Sequence, residues 1–162
     1  MQRLYAPWRV SYITGLDKKK DGCVFCSIFA SKKDASNLIF LRGQYCFAVL
    51  NLYPYSNGHC LVLPNRHVAD LSKLKSEELA ALMEMTVKVQ GLLTKVFKPA
   101  GFNLGMNLGR VAGAGIPGHL HMHIVPRWKG DHNFMPITGG TKVISQSMGG
   151  IHKSLMKEIN NA

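Results

Sequence analysis

The segment HLHMHIV at residues 119–125 constrains this chain more than any other part of its 162-residue sequence. His119, His121 and His123 alternate with apolar residues. Residues two apart on a β-strand face the same side, about 6.6 to 6.8 Å from each other. The segment therefore predicts a strand over residues 120–126 with three imidazoles along one face. Since strands normally bury aliphatic side chains there, and buried polar groups need partners, the pattern indicates a chemical site.

The remaining apolar patterns predict an α+β fold. Apolar residues recur at steps of three and four over residues 76–97, which predicts one long helix with Ser76 as its cap. Other apolar runs predict three further strands and two connections: strands at 38–52, 60–63 and 103–108, a turn at 54–58 and a glycine-rich loop at 109–118. Two hairpin-like strand pairs around one helix favour an antiparallel meander sheet over parallel βαβ units.

The length and composition are those of one folded domain. Hydrophobic residues make up 46% of the chain and charged residues 18%, which is typical of a sequence that buries a core. We expect a single domain over residues 1–162. Residues 1–22 are interpreted as an N-terminal arm, and residues 135–162 as a C-terminal extension that includes a short helix.

The charge balance predicts an anionic partner. Twenty Lys and Arg residues against nine Asp and Glu residues leave a formal charge of +11. The basic residues are scattered without interleaved aromatic residues, so we expect no nucleic-acid partner. No apolar stretch reaches the roughly 20 residues of a membrane span, and the N-terminus lacks the apolar run of a signal peptide. A cytoplasmic protein that binds a small phosphorylated ligand, with no membrane partner, fits these observations.

The four cysteines divide into two kinds. Cys23 and Cys26 are separated by two residues, a spacing that lets both sulfurs reach one tetrahedral metal ion. Cys46 and Cys60 lie in apolar runs, where an inert buried thiol is the ordinary interpretation. Since a reducing compartment disfavours disulfides, we expect no disulfide framework.

The histidine segment and several others resemble the histidine-triad family. The family signature alternates three histidines with apolar residues and ends in two apolar residues, and residues 119–125 match it completely. The similarity extends over residues 23–128 through three further segments: FAVLN at 47–51, GHCLVLP at 58–64 and NLGRVAG at 107–113. The resemblance implies the histidine-triad fold.

Within that family the chain is similar to the diadenosine tetraphosphate phosphorylases of the actinobacterial type. The segments that carry this similarity are LYAPWR at 4–9, LNLYPY at 50–55, VPRW at 125–128 and GGTKVI at 139–144. The branch implies cleavage of a dinucleoside polyphosphate by inorganic phosphate into ATP and ADP. It also implies a homodimer, possibly paired further into a tetramer, with the helix at 76–97 and the central sheet as contacts.

The resemblance assigns a role to each site residue. His121 is implied as the nucleophile that attacks the α-phosphorus and forms a nucleotidyl-histidine. His123 and His59 are implied as donors to phosphate oxygens or to the leaving group. The implied substrate-binding residues are Asn51 for the ribose, Trp128 for stacking, and Asn107, Gly109, Gly113 and Gly115 for the phosphates.

Zinc-containing members of the family imply a metal site. Their four ligands correspond here to Cys23, Cys26, His67 and His119. The resemblance implies a structural zinc that fixes the N-terminal segment to the triad strand. No organic cofactor is expected.

Three other interpretations remain open from the sequence. Water in place of phosphate would make the chain a hydrolase of dinucleoside polyphosphates or nucleoside phosphoramidates, and residues 113–117 lack the hydroxyl that the resembling phosphorylases carry there. A nucleotide-binding signalling module would keep the fold without turnover. Three histidines also suit a catalytic zinc, which would make the triad the metal site of a hydrolase.

Overall fold

Four α-helices and five strands make up the part of the chain described by this computed structural model, residues 22–131 and 144–161. The helices are α1 (Val24–Ala30), α2 (Asp34–Asn37), α3 (Ser76–Phe97) and α4 (Met148–Asn160). The strands are β1 (Ile39–Arg42), β2 (Cys46–Leu50), β3 (Cys60–Pro64), β4 (Gly101–Gly105) and β5 (Met122–Arg127). A 3-10 turn at Leu71–Lys73 precedes α3.

The strands form one antiparallel sheet in the order β1-β2-β3-β5-β4. Leu50 pairs with Cys60 and Cys60 with Ile124, while Gly105 pairs with His123. The loops at residues 51–59 and 106–121 therefore lie at the same end of the strands. The structure confirms the predicted α+β class with an antiparallel sheet, and the predicted site lies at this end of the sheet.

Two apolar clusters cover opposite faces of the sheet. On one face α3 buries Leu82, Val89 and Leu93 against β2 and β3, and α4 adds Ile151 and Leu155. On the other face, Phe25 of α1 packs against the cluster formed by Ile39, Phe47, Val49, Leu61 and Leu63. The described part of the predicted C-terminal extension thus completes the core through α4. The segments at 4–9 and 139–143 lie outside the described residues.

Three of the four predicted strands have bounds that differ from the structure by two residues or more. Residues 38–52 form two strands, because the chain reverses after Arg42 and the Gly43 N–H donates to the Cys46 carbonyl at 2.7 Å. β4 runs from Gly101 to Gly105 rather than over residues 103–108. β5 begins at Met122 rather than residue 120, because the Leu120 N–H donates to the Val68 carbonyl at 2.7 Å and so leaves the ladder.

The N-cap residue of α3 differs from the prediction. The cap is Lys75 rather than Ser76, and the buried Glu78 carboxylate accepts from the Lys75 backbone N–H at 2.8 Å. Arg66 donates to both oxygens of the same carboxylate, at 2.9 and 2.7 Å. The Arg66 hydrogen bond and then the Lys75 N–H lower the pKa of Glu78 to about 2. Glu78 thus links the helix start to the segment that carries His67.

We expect Glu78→Gln to lower the melting temperature at pH 7 by a few degrees, because it removes the charge that Arg66 pairs with. The folded pKa of about 2 lies below the ordinary value of 4.5. The stabilisation is therefore present above pH ~4.5 and is lost as the pH falls towards 2. Thermal unfolding measured from pH 7 to pH 2 should show the melting temperature of the variant approaching that of the wild type as the pH falls. An equal deficit at both ends, or the same effect from the neighbouring Glu77→Gln, would contradict this assignment.

None of the helices within residues 22–131 and 144–161 combines the length and the apolar character needed to cross a membrane.

Candidate active site and metal-ligand cluster

The candidate active site lies where β5 begins and where the loop before β3 ends. His121 and His123 have ring centroids 5.0 Å apart, and His59 lies 5.1 Å from His123. All three side chains are buried or half-buried on the face of the sheet that carries α1. The structure thus brings together the three residues predicted to be catalytic.

His121 is held in one tautomer by its own backbone. Its Nδ1 lies 2.8 Å from the His119 carbonyl oxygen. A carbonyl only accepts, so Nδ1 carries the proton and the lone pair remains on Nε2. Burial lowers the pKa of His121, which keeps the ring neutral at physiological pH. A neutral imidazole with an available Nε2 lone pair is a nucleophile.

His123 and His59 are joined ring to ring. The Nε2 of His59 lies 2.9 Å from the Nδ1 of His123. The other nitrogen of His123, Nε2, is buried and has no hydrogen-bond partner within residues 22–131 and 144–161. Burial, and then the charge of His121, lower the pKa of His123 to about 4. A buried nitrogen without a partner is uncommon in folded proteins and marks a position where a ligand atom fits.

His119 lies on the same face as the other two triad histidines but has different partners. Leu120 and Ile124 are buried in the cluster under α3, which leaves the three histidines on the α1 face as the alternation predicts, although β5 begins only at Met122. The Nε2 of His119 donates to the Pro64 carbonyl at 2.9 Å, and its Nδ1 faces the cysteines of the N-terminal segment. Phe25 contacts both rings, with centroids 5.6 Å from His119 and 5.5 Å from His121.

Cys23, Cys26, His67 and His119 form one cluster in which all four potential ligand atoms lie within 4.8 Å of one another. His119 Nδ1 is 3.4 Å from Cys23 Sγ and 3.6 Å from Cys26 Sγ, and His67 Nδ1 is 3.4 Å from Cys26 Sγ. Around a tetrahedral zinc, bonds of about 2.3 Å to sulfur and 2.0 Å to nitrogen leave these atoms about 3.6 Å apart. The cluster therefore has the donors and the spacing of a closed metal site.

The predicted phosphate loop begins beside His123, because Gly105 pairs with that residue. Asn107 donates through Nδ2 to the Gly113 carbonyl at 3.4 Å, which closes the loop. Gly109 and Gly113 have φ values of +83° and +91°, which favour glycine at both positions. Gly115 is half-buried in the same loop.

The two remaining predicted residues lie in different surroundings. Asn51 follows β2 and its Nδ2 lies 3.3 Å from His59 Nδ1, so it is next to the histidines. Trp128 follows the far end of β5, about 16 Å along the strand from His123. Its indole N–H donates to the Phe97 carbonyl at 3.3 Å. Asn51 therefore lies at the site. Within the described chain, Trp128 lies at the opposite end of β5 from it.

Sequence reasoning missed two residues of the site. Phe25 lies between the metal-ligand cluster and His121, and nothing in the pattern of the N-terminal segment indicates it. The backbone N–H of Tyr55 donates to His59 Nδ1 at 3.0 Å, and its ring packs 4.7 Å from His59. A backbone donor has no signature in the side-chain pattern, although the turn after Pro54 was predicted.

Comparisons with known proteins identify the family of this chain. Residues 32–130 match the model of the HIT domain. The AP-4-A phosphorylase of Mycobacterium tuberculosis is 41% identical over 164 residues, which cover 98% of this chain and 84% of that protein. The asymmetrical bis(5'-nucleosyl)-tetraphosphatase of Schizosaccharomyces pombe is 38% identical over 104 residues, or 64% of this chain and 57% of that protein. Both relatives are named as enzymes.

A solved structure shares the fold. A zinc-bound histidine triad family protein from Mycobacterium smegmatis superposes with a TM-score of 0.70 and 23% identity, covering 86% of this chain and 94% of that one. At this identity the likeness supports the fold alone.

Proposed function

The chain belongs to the HIT domain family, and from that premise we propose that it is a nucleotidyltransferase acting on dinucleoside polyphosphates. The reaction we assign is the conversion of diadenosine tetraphosphate and phosphate into ATP and ADP. One observation carries the chemistry: the His119 carbonyl holds the Nδ1 proton of His121, which leaves the Nε2 lone pair for attack. The naming of a 41% identical relative supports the substrate class.

The first half-reaction is a displacement at one α-phosphorus. The His121 Nε2 lone pair forms the bond to phosphorus, and the bridging oxygen departs with its electron pair as ATP. The buried Nε2 of His123 lies on the neighbouring ring and donates a hydrogen bond to the oxygen that gains charge. The product is an adenylyl group on His121.

The phosphate loop contributes backbone donors. Asn107 and the loop with Gly109, Gly113 and Gly115 follow β4, whose last residue Gly105 pairs with His123. Amides held in a closed loop stabilise charge on a phosphoryl group without reorganising during the reaction. Asn51, beside His59, is proposed to hold the ribose.

The second half-reaction sets the product. Phosphate that attacks the adenylyl group yields ADP, whereas water yields AMP. Residues 113–117 carry no hydroxyl to orient the phosphate. The exposed Arg110 in the same loop and the net charge of +11 favour an anionic acceptor. We therefore assign phosphorolysis, with hydrolysis as the second candidate because the tetraphosphatase of S. pombe is also similar.

Incubation with diadenosine tetraphosphate and radiolabelled phosphate tests this assignment. We expect ATP and ADP as products, with the label in the β-position of ADP, because phosphate enters at the adenylyl group. Omitting phosphate should slow turnover strongly. AMP as the dominant product at millimolar phosphate would make the chain a hydrolase. The variant Arg110→Ala should raise the KM for phosphate more than the KM for the dinucleotide, which separates the acceptor site from the donor site.

We expect His123→Ala to lower kcat by about 10² to 10⁴-fold, because it removes one donor to the developing charge while the nucleophile stays. The KM should change little. Steady-state kinetics of both variants should show a smaller loss of kcat for His123→Ala than for His121→Ala. A loss smaller than about tenfold would remove His123 from the mechanism.

We also propose that the metal-ligand cluster binds one structural zinc ion. The donor set of two thiols and two imidazoles is the one that zinc prefers, and the distances fit. His119 presents Nδ1 to the cluster because its Nε2–H is donated to Pro64. When bound, the ion would tie α1 to the segment before β5. This arrangement disfavours the triad itself as a catalytic metal site, because the Nδ1 of His119 faces the two cysteines and its Nε2–H is donated to Pro64.

A homodimer is the oligomeric state we propose. Leu79, Met83 and Val87 are exposed on one side of α3, and β4 is an edge strand with Leu104 exposed. An apolar helix stripe and a strand edge that pairs with no other described strand favour association with a second copy. Light scattering of the wild type and of Met83→Glu tests it. A monomeric wild type would contradict the proposal.

A further inference from the structure

We propose that Cys23 and Cys26 are a site of reversible oxidation. A hydroperoxide joins the two sulfurs in a disulfide, which removes two metal ligands and disturbs the support of the nucleophile His121. The modification itself is a property of the two thiols, and its effect on turnover rests on the function proposed above. A pair of cysteines two residues apart that cycles between dithiol and disulfide is compatible with a reducing compartment, where transient disulfides act as redox sensors.

The metal-ligand cluster is accessible from the surface of the described chain. Cys23 and Cys26 are half-buried, and His67 beside them is exposed. A cavity of about 520 Å³ adjoins the two cysteines and is lined by Gly22, Cys23, Cys26, His67, Ile116 and Gly118. Hydrogen peroxide is only slightly larger than water, so it fits this cavity. A small hydroperoxide therefore has a path to both thiols.

The other two cysteines are protected from the same reagent. Cys46 on β2 is 1% exposed and Cys60 on β3 is 0% exposed. Burial raises the pKa of the Cys46 thiol to about 11, and it raises the pKa of the Cys60 thiol as well. Hydroperoxides oxidise the thiolate rather than the thiol, and a cysteine bound to a metal is a thiolate. We therefore expect oxidation at the cluster and not at the two buried thiols.

The oxidation removes two electrons from the sulfurs. One thiolate attacks the terminal oxygen of the hydroperoxide and forms a sulfenic acid, while the O–O bond breaks and the other oxygen departs as an alkoxide that takes up a proton. The second thiolate attacks the sulfenic sulfur, and the hydroxide released takes up a second proton to become water. The ligand atoms of the cluster lie within 4.8 Å of one another, so the two sulfurs are already close.

A disulfide between these sulfurs is incompatible with metal binding. A tetrahedral zinc ion keeps its ligand atoms about 3.6 Å apart, whereas a disulfide joins its two sulfurs at about 2.0 Å. The disulfide sulfurs also carry no negative charge. Only His67 and His119 remain as ligands, and two imidazoles do not complete a structural site. We therefore expect oxidation to release the ion.

The disulfide affects the nucleophile through Phe25 and His119. Phe25 lies between the two cysteines in the chain, and its ring centroid is 5.5 Å from that of His121. His119 presents Nδ1 to the cysteines, and its carbonyl accepts the Nδ1 proton of His121 at 2.8 Å. Two contacts that hold the His121 ring thus come from the segments that the cluster joins. A displacement of about 1 Å at a reacting group can lower a rate by about 10²-fold.

Treatment of the zinc-loaded wild type with hydrogen peroxide tests the proposal. We expect release of one zinc ion per chain, a disulfide between Cys23 and Cys26 in peptide mass spectra, and a shift of the His121 ring signals in nitrogen-15 NMR. A dithiol reductant with added zinc should restore the starting spectra, whereas methionine sulfoxide would persist. These measurements need no substrate, so their failure is distinct from a failure of the proposed function.

Kinetics and two variants complete the test. Oxidation should lower kcat for diadenosine tetraphosphate about tenfold to 10²-fold with little change in KM, and reduction with zinc should restore it. The matched control Cys46→Ala should respond to peroxide as the wild type does. Cys26→Ser cannot form the disulfide, so peroxide should leave its His121 signals and its remaining turnover unchanged.

Four results would overturn the proposal. The first is a reduced wild type that binds no zinc, and the second is a treated protein that keeps its zinc at peroxide levels that oxidise other residues. The third is oxidation of Cys46 or Cys60 before the cluster cysteines. The fourth is a disulfide between Cys23 and Cys26 that leaves both the His121 signals and kcat unchanged.

Discussion

Replacing His121 with alanine is expected to lower kcat/KM for diadenosine tetraphosphate by on the order of 10⁴-fold or more, because the variant has no atom that can form the bond to phosphorus. The affinity for substrate should stay close to that of the wild type, since the nucleophile acts on the barrier more than on ground-state binding. Single-turnover kinetics and equilibrium binding measure the two quantities separately.

The matched control for that experiment is His152→Ala. His152 lies on α4 and its Nε2 donates to the Ile39 carbonyl at 3.0 Å, away from the triad. Its removal takes away an imidazole of equal size without touching the chemistry, so turnover should remain near wild type. Retention of more than a few per cent of the wild-type rate by His121→Ala would exclude His121 as the nucleophile.

Cys23→Ser is expected to abolish stoichiometric zinc and to lower the melting temperature by on the order of 10 °C, because metal binding stabilises the folded state that presents all four ligands. Metal analysis of the purified protein should give one zinc per wild-type chain. A chelator should reduce the melting temperature of the wild type to that of the variant, and should leave the variant unchanged.

Val24→Ala is the matched control for the metal prediction. Val24 is next to Cys23 on α1 and its side chain is 48% exposed, so its truncation should keep both the zinc and the melting temperature. A wild type without stoichiometric metal, or a Cys23→Ser variant of unchanged stability, would contradict the structural-zinc proposal.

The elements that could be predicted from the sequence are those with long or strict patterns. The helix at Ser76–Phe97 has the predicted bounds, because twenty-two residues of regular apolar spacing leave little ambiguity. The four cluster residues, implied by family resemblance, also lie together. α1 was not predicted, since seven residues give too little periodicity and its order depends on Phe25 packing against the sheet.

The partners of His119 could not be predicted from alternation. Alternation places Leu120 and Ile124 under α3 and the three histidines on the other face, but it does not say what that face contacts. His119 contacts the cysteines because Phe25 packs α1 against the sheet. The role of Tyr55 was also out of reach, because it acts through a backbone N–H that every residue except proline carries.

Trapping of the covalent intermediate tests the central claim most directly. The wild type is mixed with diadenosine tetraphosphate without phosphate, quenched rapidly and digested, and the adenylated peptide is located by mass spectrometry. The account predicts one adenylyl group on His121, which disappears when phosphate is added and appears as ADP. An adduct on another residue, or full turnover through a path that never modifies His121, would contradict it.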